Sequence, residues 1–441
     1  MGVSHIYEKM SGRYDACGCV PDMGLTGLEH LVKKRVYIET YGCRYNFGDT
    51  AKLIEILKQQ GCTIVQSEDT AEAVIINTCT VVAPTERRMI RRLSHFRARD
   101  LYVTGCMPVV QRDAVMGVCT PTIIAPASIQ ARYGSVGTVP ACSVGIIQVS
   151  QGCTGHCTYC ITKKARGGLK SHPVTEIISQ LREFIRAGAV EVQLTAQDVS
   201  AWGRDTGSLL PELLNEIGDQ PGNFYVRVGM MNPGTVLEIL DDLIEAFSHS
   251  NLFRFIHIPV QSGSDRILRK MGRAYTVEDF EHIVARFRKK FPDITLATDM
   301  IVGFPHEGDE DFLQSLALID RVRPNKVNVT RFSKRPFTPA FFEKGVLDAI
   351  KKDRSRIMNA RAEQVYHAIN APYLGRTVPY IVTEEIKTGS VMARTPSYLG
   401  IVLEENLPAG FSGLATIRAE KKYYFTGDRN QPGTGICPVH L

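Results

Sequence analysis

The sequence predicts an α/β protein with three folded parts: a parallel α/β domain, an open (β/α)6 barrel and a small antiparallel β-barrel. Two stretches in which strands alternate with helices predict the first two parts, since that alternation is typical of parallel sheets. Short strands separated by Gly, Pro and Asn near the C-terminus predict the third part. The length of 441 residues agrees with this division, because chains beyond about 250–300 residues split into several domains.

The first domain is expected over residues 35–119. The apolar segments V-Y-I-E-T, A-V-I-I-N-T and L-Y-V-T-G indicate three strands. An amphipathic helix is expected from Asp49 to Gln60. A second helix is expected to begin near Pro84, because the first turn of a helix does not need the N–H that proline lacks. These elements predict a parallel sheet with helices on its faces.

The flanks of this domain lack clean periodicity. Residues 1–34 are interpreted as an extension of unknown role, with a metal-binding Cys17/Cys19 pair as the alternative. Residues 120–143 are rich in Pro, Ala, Ser and Gly and are interpreted as a linker.

The second domain is expected over residues 144–342. Six apolar strands, from G-I-I-Q-V-S to K-V-N-V-T-R-F, alternate with helical stretches. Six repeats are too few for a closed eight-stranded barrel, so an open (β/α)6 barrel fits better. A helical connector is expected over residues 343–373, and the small β-barrel over residues 374–434.

The composition is that of an ordinary globular protein, with 44% hydrophobic and 22% charged residues. No apolar run approaches the roughly 20 residues that span a bilayer, and the N-terminus lacks a signal pattern, so we expect a cytoplasmic protein. The net charge of +6 is compatible with a polyanionic partner. Twelve cysteines in such a compartment favour metal or catalytic use over disulfides.

Three cysteines follow the first barrel strand in C-x3-C-x2-C spacing, within G-C-T-G-H-C-T-Y-C: Cys153, Cys157 and Cys160. Three thiolates on a short loop can bind three irons of a [4Fe–4S] cluster and leave the fourth iron open to a substrate. The alternative is a structural zinc site with His156 as its fourth ligand. Their place at the carboxyl end of a barrel strand, where catalytic groups gather, favours the cluster.

Three further cysteines each end a strand of the first domain: Cys43, Cys79 and Cys106. The carboxyl ends of parallel strands lie on one edge, where open α/β sheets bind ligands, so this triad predicts a second cluster. The alternative is three buried core cysteines. The remaining cysteines lack such register and are expected to be structural or free; these are Cys62, Cys119, Cys142 and Cys437.

The C-x3-C-x2-C loop on a six-fold β/α barrel resembles the radical S-adenosylmethionine superfamily. The order of a three-cysteine domain, a radical barrel and a small β-barrel resembles the methylthiotransferases over roughly residues 35–434. Within that family, several sequence segments are similar to those of archaeal and eukaryotic enzymes that act on N6-threonylcarbamoyladenosine in tRNA. The segments that carry this resemblance are Y-C-I-T-K-K-A-R-G (159–167), L-T-A-Q-D-V-S-A-W-G-R-D (194–205), R-V-G-M-M-N-P (227–233), H-I-P-V-Q-S-G-S-D (257–265) and A-T-D-M-I-V-G-F-P (297–305).

The resemblance implies two [4Fe–4S] clusters and S-adenosylmethionine as cofactors. One S-adenosylmethionine would donate its methyl to a sulfur at the first-domain cluster, and a second would be cleaved at the barrel cluster to a 5′-deoxyadenosyl radical. That radical would remove hydrogen from carbon 2 of the adenine at position 37, where the methylthio group is then added. The cofactors carry this chemistry and no protein acid or base is assigned to it. Implied partners are the tRNA anticodon stem-loop, a ferredoxin- or flavodoxin-like electron donor and a sulfur source.

Polar residues on or after the barrel strands are candidates for holding S-adenosylmethionine. The alternative is that these groups satisfy one another, since an unpaired buried polar group costs about 1–3 kcal/mol. The candidates are Gln197, Asp198, Arg227, Gln261, Ser262 and Asp299.

Basic and aromatic residues are candidates for binding RNA. Basic groups contact phosphates and aromatic rings stack on unpaired bases. The alternative interpretation is that these charges are simply solvated on the surface. The C-terminal barrel that carries most of them resembles the TRAM module. The candidates are Lys163, Lys164, Arg166, Arg418, Lys421, Lys422, Tyr423 and Tyr424.

Three other functions remain compatible with the sequence. Two of them are other methylthiotransferase reactions: methylthiolation of N6-isopentenyladenosine in tRNA, or of an aspartate in a ribosomal protein. The third is a non-catalytic iron–sulfur protein that binds RNA, which the open-iron spacing disfavours.

Overall fold

The computed structural model describes residues 27–134, 139 and 142–430. Cys17, Cys19 and Cys437 lie outside the described residues. The three-part α/β architecture is confirmed.

The N-terminal domain is a five-stranded parallel sheet in the order β2-β1-β3-β4-β5. Its three central strands are the predicted ones, and they are longer than the two edge strands, which have only two residues each. The strands are β1 (Arg35–Thr40), β2 (Thr63–Ile64), β3 (Ala73–Thr78), β4 (Asp100–Gly105) and β5 (Thr122–Ile123). The helices are α1 (Arg44–Gln59), α2 (Ala83–His95), α3 (Met107–Val110), α4 (Arg112–Met116) and α5 (Pro126–Tyr133).

The linker expected over residues 120–143 is wrong over its first half. Strand β5 pairs with β4 through Tyr102 and Thr122, and Ile124 and Ile129 are buried in the same core as helix α1. A two-residue strand and an eight-residue helix carry too little periodicity to stand out among Pro and Ala. Helix α1 also begins earlier than expected, directly after Cys43.

The second domain, the open β/α barrel, consists of two three-stranded parallel sheets, β10-β9-β6 and β11-β12-β13. Single bridges from Val226 to Leu252 and from Met230 to His257 connect the two sheets, which gives six strands in one open array. The largest apolar core of the protein lies between these strands and their outer helices. The strands are β6 (Val144–Gln148), β7 (Ser150–Gln151), β8 (Lys170–Ser171), β9 (Glu191–Thr195), β10 (Tyr225–Arg227), β11 (Phe255–His257), β12 (Thr295–Val302) and β13 (Lys326–Arg331). The helices are α6 (Thr162–Arg166), α7 (Val174–Arg186), α8 (Leu210–Gly218), α9 (Pro233–Leu237), α10 (Leu240–Ala246), α11 (Asp265–Lys270), α12 (Val277–Lys290) and α13 (Asp309–Val322).

Helix α1 of the N-terminal domain packs against the edge strand β6. The Gln148 side-chain amide donates to the Tyr45 carbonyl at 2.9 Å and to the Asp49 carboxylate at 2.7 Å. A side chain at Gly48 would meet Gln148 at 3.2 Å, so the two elements are in close contact. These contacts fix the position of the first domain relative to the barrel.

A 23-residue helix, α14 (Asp348–Asn370), leads to the C-terminal domain. That domain is a closed barrel in the order β14-β15-β16-β18-β17, as predicted, except that β16 and β18 pair in parallel. Its strands are β14 (Thr377–Lys387), β15 (Ser390–Arg394), β16 (Gly400–Leu403), β17 (Ser412–Glu420) and β18 (Phe425–Arg429). Within the described part of the chain, no helix has the length and apolar content needed to cross a membrane.

Candidate active site

All six cysteines of the two triads open into one cavity of about 560 Å³, a volume typical of small-molecule sites. The cavity lies between the carboxyl edge of the N-terminal sheet and the carboxyl ends of the barrel strands. Two triads that lie far apart in sequence therefore face the same enclosed space.

The barrel triad lies on a loop that begins at Gly152, directly after β7. A side chain at Gly152 would come within 1.9 Å of the Gly168 carbonyl, and φ there is +80°, so the turn requires glycine. The Gly152 N–H donates to Gln197 at 2.6 Å, and the Lys163 ammonium donates to the Gly155 carbonyl at 3.1 Å. The loop is thus held by both the barrel and helix α6.

The geometry of this loop fits an iron–sulfur cluster. The Sγ atoms of Cys153 and Cys157 lie 3.3 and 3.7 Å from the position that a Cβ on Gly155 would take, so both thiols border the same space. Arg273 donates to Cys157 Sγ at 3.0 Å, which suits a thiolate ligand. Burial raises the pKa of the Cys153 thiol to about 11 and also raises that of Cys160. Such thiols need a bound metal to remain deprotonated at neutral pH.

The zinc alternative for this loop is not supported. His156 is exposed and does not line the cavity. Over residues 27–134, 139 and 142–430, no group of three or more His, Cys, Asp or Glu side chains is close enough together to hold a single metal ion. A cubic cluster holds its thiolates farther apart than one ion does.

The N-terminal triad lies at the carboxyl ends of three neighbouring strands, as the sequence predicts. Cys43 follows β1 and caps α1, Cys79 follows β3, and Cys106 follows β4. A side chain at Gly105 would lie 2.2 Å from the Thr78 carbonyl, so glycine permits the close approach of the last two strands. Burial raises the pKa of the Cys79 thiol to about 11 and also raises that of Cys106. A metal is again needed to keep these groups ionised.

The prediction that Arg166 contacts RNA is wrong. Its side chain is only 2% exposed, and its guanidinium donates to Asp49 and to Asn46, both at 2.7 Å. The guanidinium also lies over the Tyr45 ring at 4.8 Å. Arg166 therefore joins helix α6, next to the barrel cysteines, to helix α1, next to Cys43.

Five of the six candidates for holding S-adenosylmethionine line the cavity. The Arg227 guanidinium lies over the neighbouring rings of Phe255 and Tyr398, at 4.6 and 5.4 Å from their centroids. Asp299 is hydrogen-bonded to His257 at 3.0 Å and accepts from Asn328 at 2.6 Å. The cavity-lining candidates are Gln197, Asp198, Arg227, Gln261 and Asp299.

The pKa values of the two carboxylates among these candidates are shifted in opposite directions. Burial raises the pKa of Asp198, although Ser200, Thr235 and the Asn232 N–H all donate to it. Burial is also the largest influence on Asp299 and raises its pKa, but the hydrogen bonds from His257 and Asn328 and the nearby Lys326 charge together hold the Asp299 pKa below its usual value. The surroundings of Asp299 therefore favour its charged form.

Ser262 does not line the cavity, so its assignment to S-adenosylmethionine is wrong. Its hydroxyl accepts from the Ser264 N–H at 3.2 Å and lies 3.5 Å from the Ser315 hydroxyl on helix α13. The neighbouring Gln261 faces the cavity with φ of +72°. The left-handed backbone at Gln261 turns the chain there, so that Ser262 lies against helix α13 instead of the cavity.

The other RNA candidates are accessible to different extents. Lys164 is exposed, whereas Lys163 is half-buried against the cysteine loop. In the C-terminal barrel, Arg418 pairs with Asp428 at 2.7 Å and Lys422 pairs with Glu363. The exposed turn between β17 and β18 carries Lys421, Lys422, Tyr423 and Tyr424.

Several cavity residues could not be found from the sequence. Arg273 lies in the turn between α11 and α12, and only the folded chain brings it to Cys157. Asn46 occupies an ordinary helix position in α1. His257 is part of the strand segment H-I-P-V, which gave no reason to separate a cavity histidine from a core one. Of the cysteines outside the triads, Cys62 and Cys119 are buried in the N-terminal core, as expected for structural thiols.

Comparisons with known proteins agree with this geometry. The Radical SAM superfamily matches residues 147–319, and a family described as "Uncharacterized protein family UPF0004" matches residues 35–121. A probable threonylcarbamoyladenosine tRNA methylthiotransferase of Pyrococcus abyssi is 40% identical over 89% of this chain and 99% of that protein. The Pyrococcus horikoshii protein of the same name is 39% identical over 88% of this chain and 98% of its own length.

A eukaryotic relative extends the comparison. The threonylcarbamoyladenosine tRNA methylthiotransferase of Danio rerio is 33% identical over 80% of this chain and 70% of that protein. The chain belongs to the threonylcarbamoyladenosine tRNA methylthiotransferase family, within the Radical SAM superfamily.

Proposed function

We propose that the protein adds a methylthio group to carbon 2 of N6-threonylcarbamoyladenosine at position 37 of tRNA. The observation that carries this proposal is the single cavity into which both cysteine triads open. A sulfur donor and a radical source must both reach one carbon atom, and one shared cavity meets that requirement. Isopentenyladenosine and a ribosomal protein aspartate are less favoured, because the relatives named above act on threonylcarbamoyladenosine by name.

The proposed ligands are Cys43, Cys79 and Cys106 for one [4Fe–4S] cluster and Cys153, Cys157 and Cys160 for the other. When bound, the clusters would relay an electron from the reductant and hold the sulfur from its separate source, and S-adenosylmethionine would supply the methyl group and the 5′-deoxyadenosyl radical. Arg273 stabilises the negative charge on the Cys157 sulfur by its hydrogen bond.

The polar lining of the cavity is proposed to hold S-adenosylmethionine. Asp299 is ionised and suits the positive charge of the methionine moiety, whereas Arg227 suits a carboxylate. Gln197 orients the cysteine loop by accepting a hydrogen bond from the Gly152 N–H. The Asp198 carboxylate accepts hydrogen bonds from the Ser200 and Thr235 hydroxyls and therefore orders the cavity wall.

The anticodon stem-loop of tRNA is the proposed macromolecular substrate. Lys164 and the exposed turn of the C-terminal barrel offer positive charge to its phosphates. A ferredoxin- or flavodoxin-like reductant and a separate sulfur source complete the reaction, which we assign to the cytoplasm.

Nucleoside mass spectrometry of tRNA tests this proposal. Cells that lack the gene should accumulate N6-threonylcarbamoyladenosine and lose its 2-methylthio derivative, and the intact gene should restore the derivative. Cys157→Ala serves as the matched control, because it removes one cluster ligand and should not restore the product. An unchanged nucleoside profile in cells without the gene would contradict the proposal.

A further inference from the structure

Residues 332–342 form a loop at the mouth of the cavity, here called the rim loop. It begins where β13 ends, and Arg331, Phe332, Ser333 and Arg335 line the cavity. The first residues of the rim loop therefore border the cavity, and the loop continues from there to exposed rings on the protein surface.

Two anchors hold the rim loop in place. The Arg335 guanidinium forms a buried ion pair with Glu86 on helix α2 of the N-terminal domain. The Ala340 N–H donates to the Thr158 carbonyl in the barrel cysteine loop at 2.9 Å. Phe337 lies in the chain between these two anchors, two residues after the cavity-lining Arg335.

Phe337 combines two features that destabilise the folded chain, a strained backbone and an exposed aromatic ring. Its φ is +63°, a left-handed conformation that a bulky residue rarely adopts, and its side chain is 58% exposed. Phe342, just beyond the second anchor, is 83% exposed. Phe332 at the start of the same loop is buried, so the loop places only some of its rings in solvent. Strained backbone that persists at a binding site indicates a function for the conformation.

The charges around these rings are positive. Arg331 and Lys334 are exposed in or beside the rim loop, and Arg87 and Arg88 are exposed on helix α2, next to the Glu86 anchor. The nearby Glu343 is hydrogen-bonded to His306 at 2.8 Å, and Asp348 is paired with Lys351 at 2.7 Å. Exposed aromatic rings beside exposed cations are the arrangement that binds single-stranded nucleic acid.

We propose that Phe337 and Phe342 form a base-stacking platform for the unpaired anticodon-loop bases that flank the target adenosine, with Arg331 and Lys334 on their phosphates. This inference rests on the proposed function. The target base must leave the loop stack to reach the cavity, and its neighbours then lose a stacking partner. A ring fixed at the rim replaces that partner, since stacking on an aromatic side chain accepts any base.

The test uses an anticodon stem-loop with 2-aminopurine beside the target adenosine. Binding to the intact enzyme should quench its fluorescence. Phe337→Gly should weaken binding by about tenfold or more at every salt concentration, because stacking is worth roughly 1–3 kcal/mol per base. The salt dependence should not change, since the substitution removes no positive charge. Phe337→Gly should also melt no lower than the wild type, because glycine adopts the left-handed conformation without strain.

Three further variants accompany Phe337→Gly. Leu313→Ala removes an equally exposed apolar side chain, 61% exposed on helix α13, and should leave RNA binding unchanged. Arg331→Gln should weaken binding and reduce the salt slope, by about 0.7 for one phosphate of a single strand. Phe342→Ala repeats the stacking test at a residue with no backbone strain.

The outcomes separate this inference from the proposed function. Unchanged affinity and quenching in both Phe337→Gly and Phe342→Ala, with a wild type that binds RNA, would overturn the platform alone. The same result with slower reduction of the enzyme by its electron donor would assign the rings to a protein partner and also overturn it. A wild type that does not bind the stem-loop would instead contradict the proposed function.

Discussion

Tyr398 of the C-terminal barrel donates a 2.6 Å hydrogen bond to the Glu191 carboxylate at the start of strand β9. Its ring packs against Phe253 and Phe255, with centroid distances of 4.8 and 5.0 Å, and Arg227 of the cavity lies over it. The Arg254 N–H also donates to the Pro396 carbonyl at 2.9 Å. The C-terminal barrel thus closes the amino-terminal end of the radical barrel, opposite the cysteines.

Replacing Tyr398 should destabilise the protein in two graded steps. Tyr398→Phe keeps the ring in place but leaves buried Glu191 without its hydroxyl donor, which should cost about 1–3 kcal/mol. Tyr398→Ala also removes the packing of the ring and should cost about 3 kcal/mol or more. Denaturant titration measures both. The control is Tyr424→Ala, at a ring in the same domain that is 38% exposed. Equal losses of stability in Tyr398→Ala and Tyr424→Ala would show that packing of Tyr398 does not stabilise the fold.

The Arg166–Asp49 pair should be strongly coupled. Arg166→Met leaves Asp49 as an unpaired buried charge beside Gln148, which should cost about 3–5 kcal/mol. The double variant Arg166→Met/Asp49→Leu removes both charges and should recover most of that stability. Thermal unfolding of the four proteins in the cycle gives the coupling energy. Additive effects in the double variant would contradict a direct interaction.

The two cysteine triads should differ in function. Reconstituted wild type should hold about eight irons, and Cys157→Ala or Cys79→Ala about four, since each cluster of this type contains four. Cys157→Ala should produce no 5′-deoxyadenosine, because the barrel cluster is absent. Cys79→Ala should still produce some, yet form no methylthio product. Iron analysis and chromatography of the products measure these effects, and methylthiolation by Cys79→Ala would refute the assignment of the N-terminal triad.

Lys52 should make stability depend on pH in alkaline solution. Burial lowers the pKa of Lys52 to about 8, although the nearby Asp49 carboxylate opposes this, and the ammonium donates to Gln130 at 2.5 Å. The unfolded chain, with an ordinary lysine pKa near 10.4, binds more protons between about pH 8 and 10.4. The contribution of Lys52 to stability should therefore rise with pH across that window.

Lys52→Met should abolish this pH dependence and raise stability at pH 7 by roughly 2–3 kcal/mol. Lys58→Met on the same helix is the control, because Lys58 is half-exposed and pairs with Glu55 at 2.8 Å. The difference in unfolding free energy between variant and wild type, measured at several pH values, isolates the lysine. A difference that does not change with pH would contradict the lowered pKa.

The exposed turn of the C-terminal barrel should contribute to the salt dependence of tRNA binding. Lys421→Gln and Lys422→Gln together should flatten the log–log salt slope by about 0.7–0.9 for each phosphate that the lysines neutralise. Both clusters should remain, since their ligands lie upstream. Binding titrations at several salt concentrations measure the slope. An unchanged slope would remove this turn from the RNA site.

Periodicity and the ends of strands predicted the architecture and the two cysteine triads. Strand β3 is buried along its whole length, and its apolar run could be recognised without any partner. Cys79 was then placed by the rule that parallel strands share a carboxyl edge. These predictions depend on neighbours in sequence or on a general rule of topology.

The features that sequence reasoning missed depend on partners distant in the chain. Arg166 stands in a run of basic residues and looks like a surface cation, but Asp49, 117 residues earlier, buries it. Ser262 and Gln261 are adjacent, and only the left-handed backbone at Gln261 decides which of them faces the cavity. The half-buried ring of Tyr398 lies in a short turn whose sequence does not indicate packing against another domain.

The Arg166–Asp49 pair also determines the order of events during synthesis. Helix α1 leaves the ribosome before the residue that neutralises its buried carboxylate has been made. At about 5–20 residues per second, the missing stretch takes roughly 6–23 s to translate. Throughout that interval the Asp49 carboxylate stays hydrated, and helix α1 lacks the barrel against which it packs in the final structure. The contact between helix α1 and Arg166 therefore forms only after the barrel cysteines have themselves been translated.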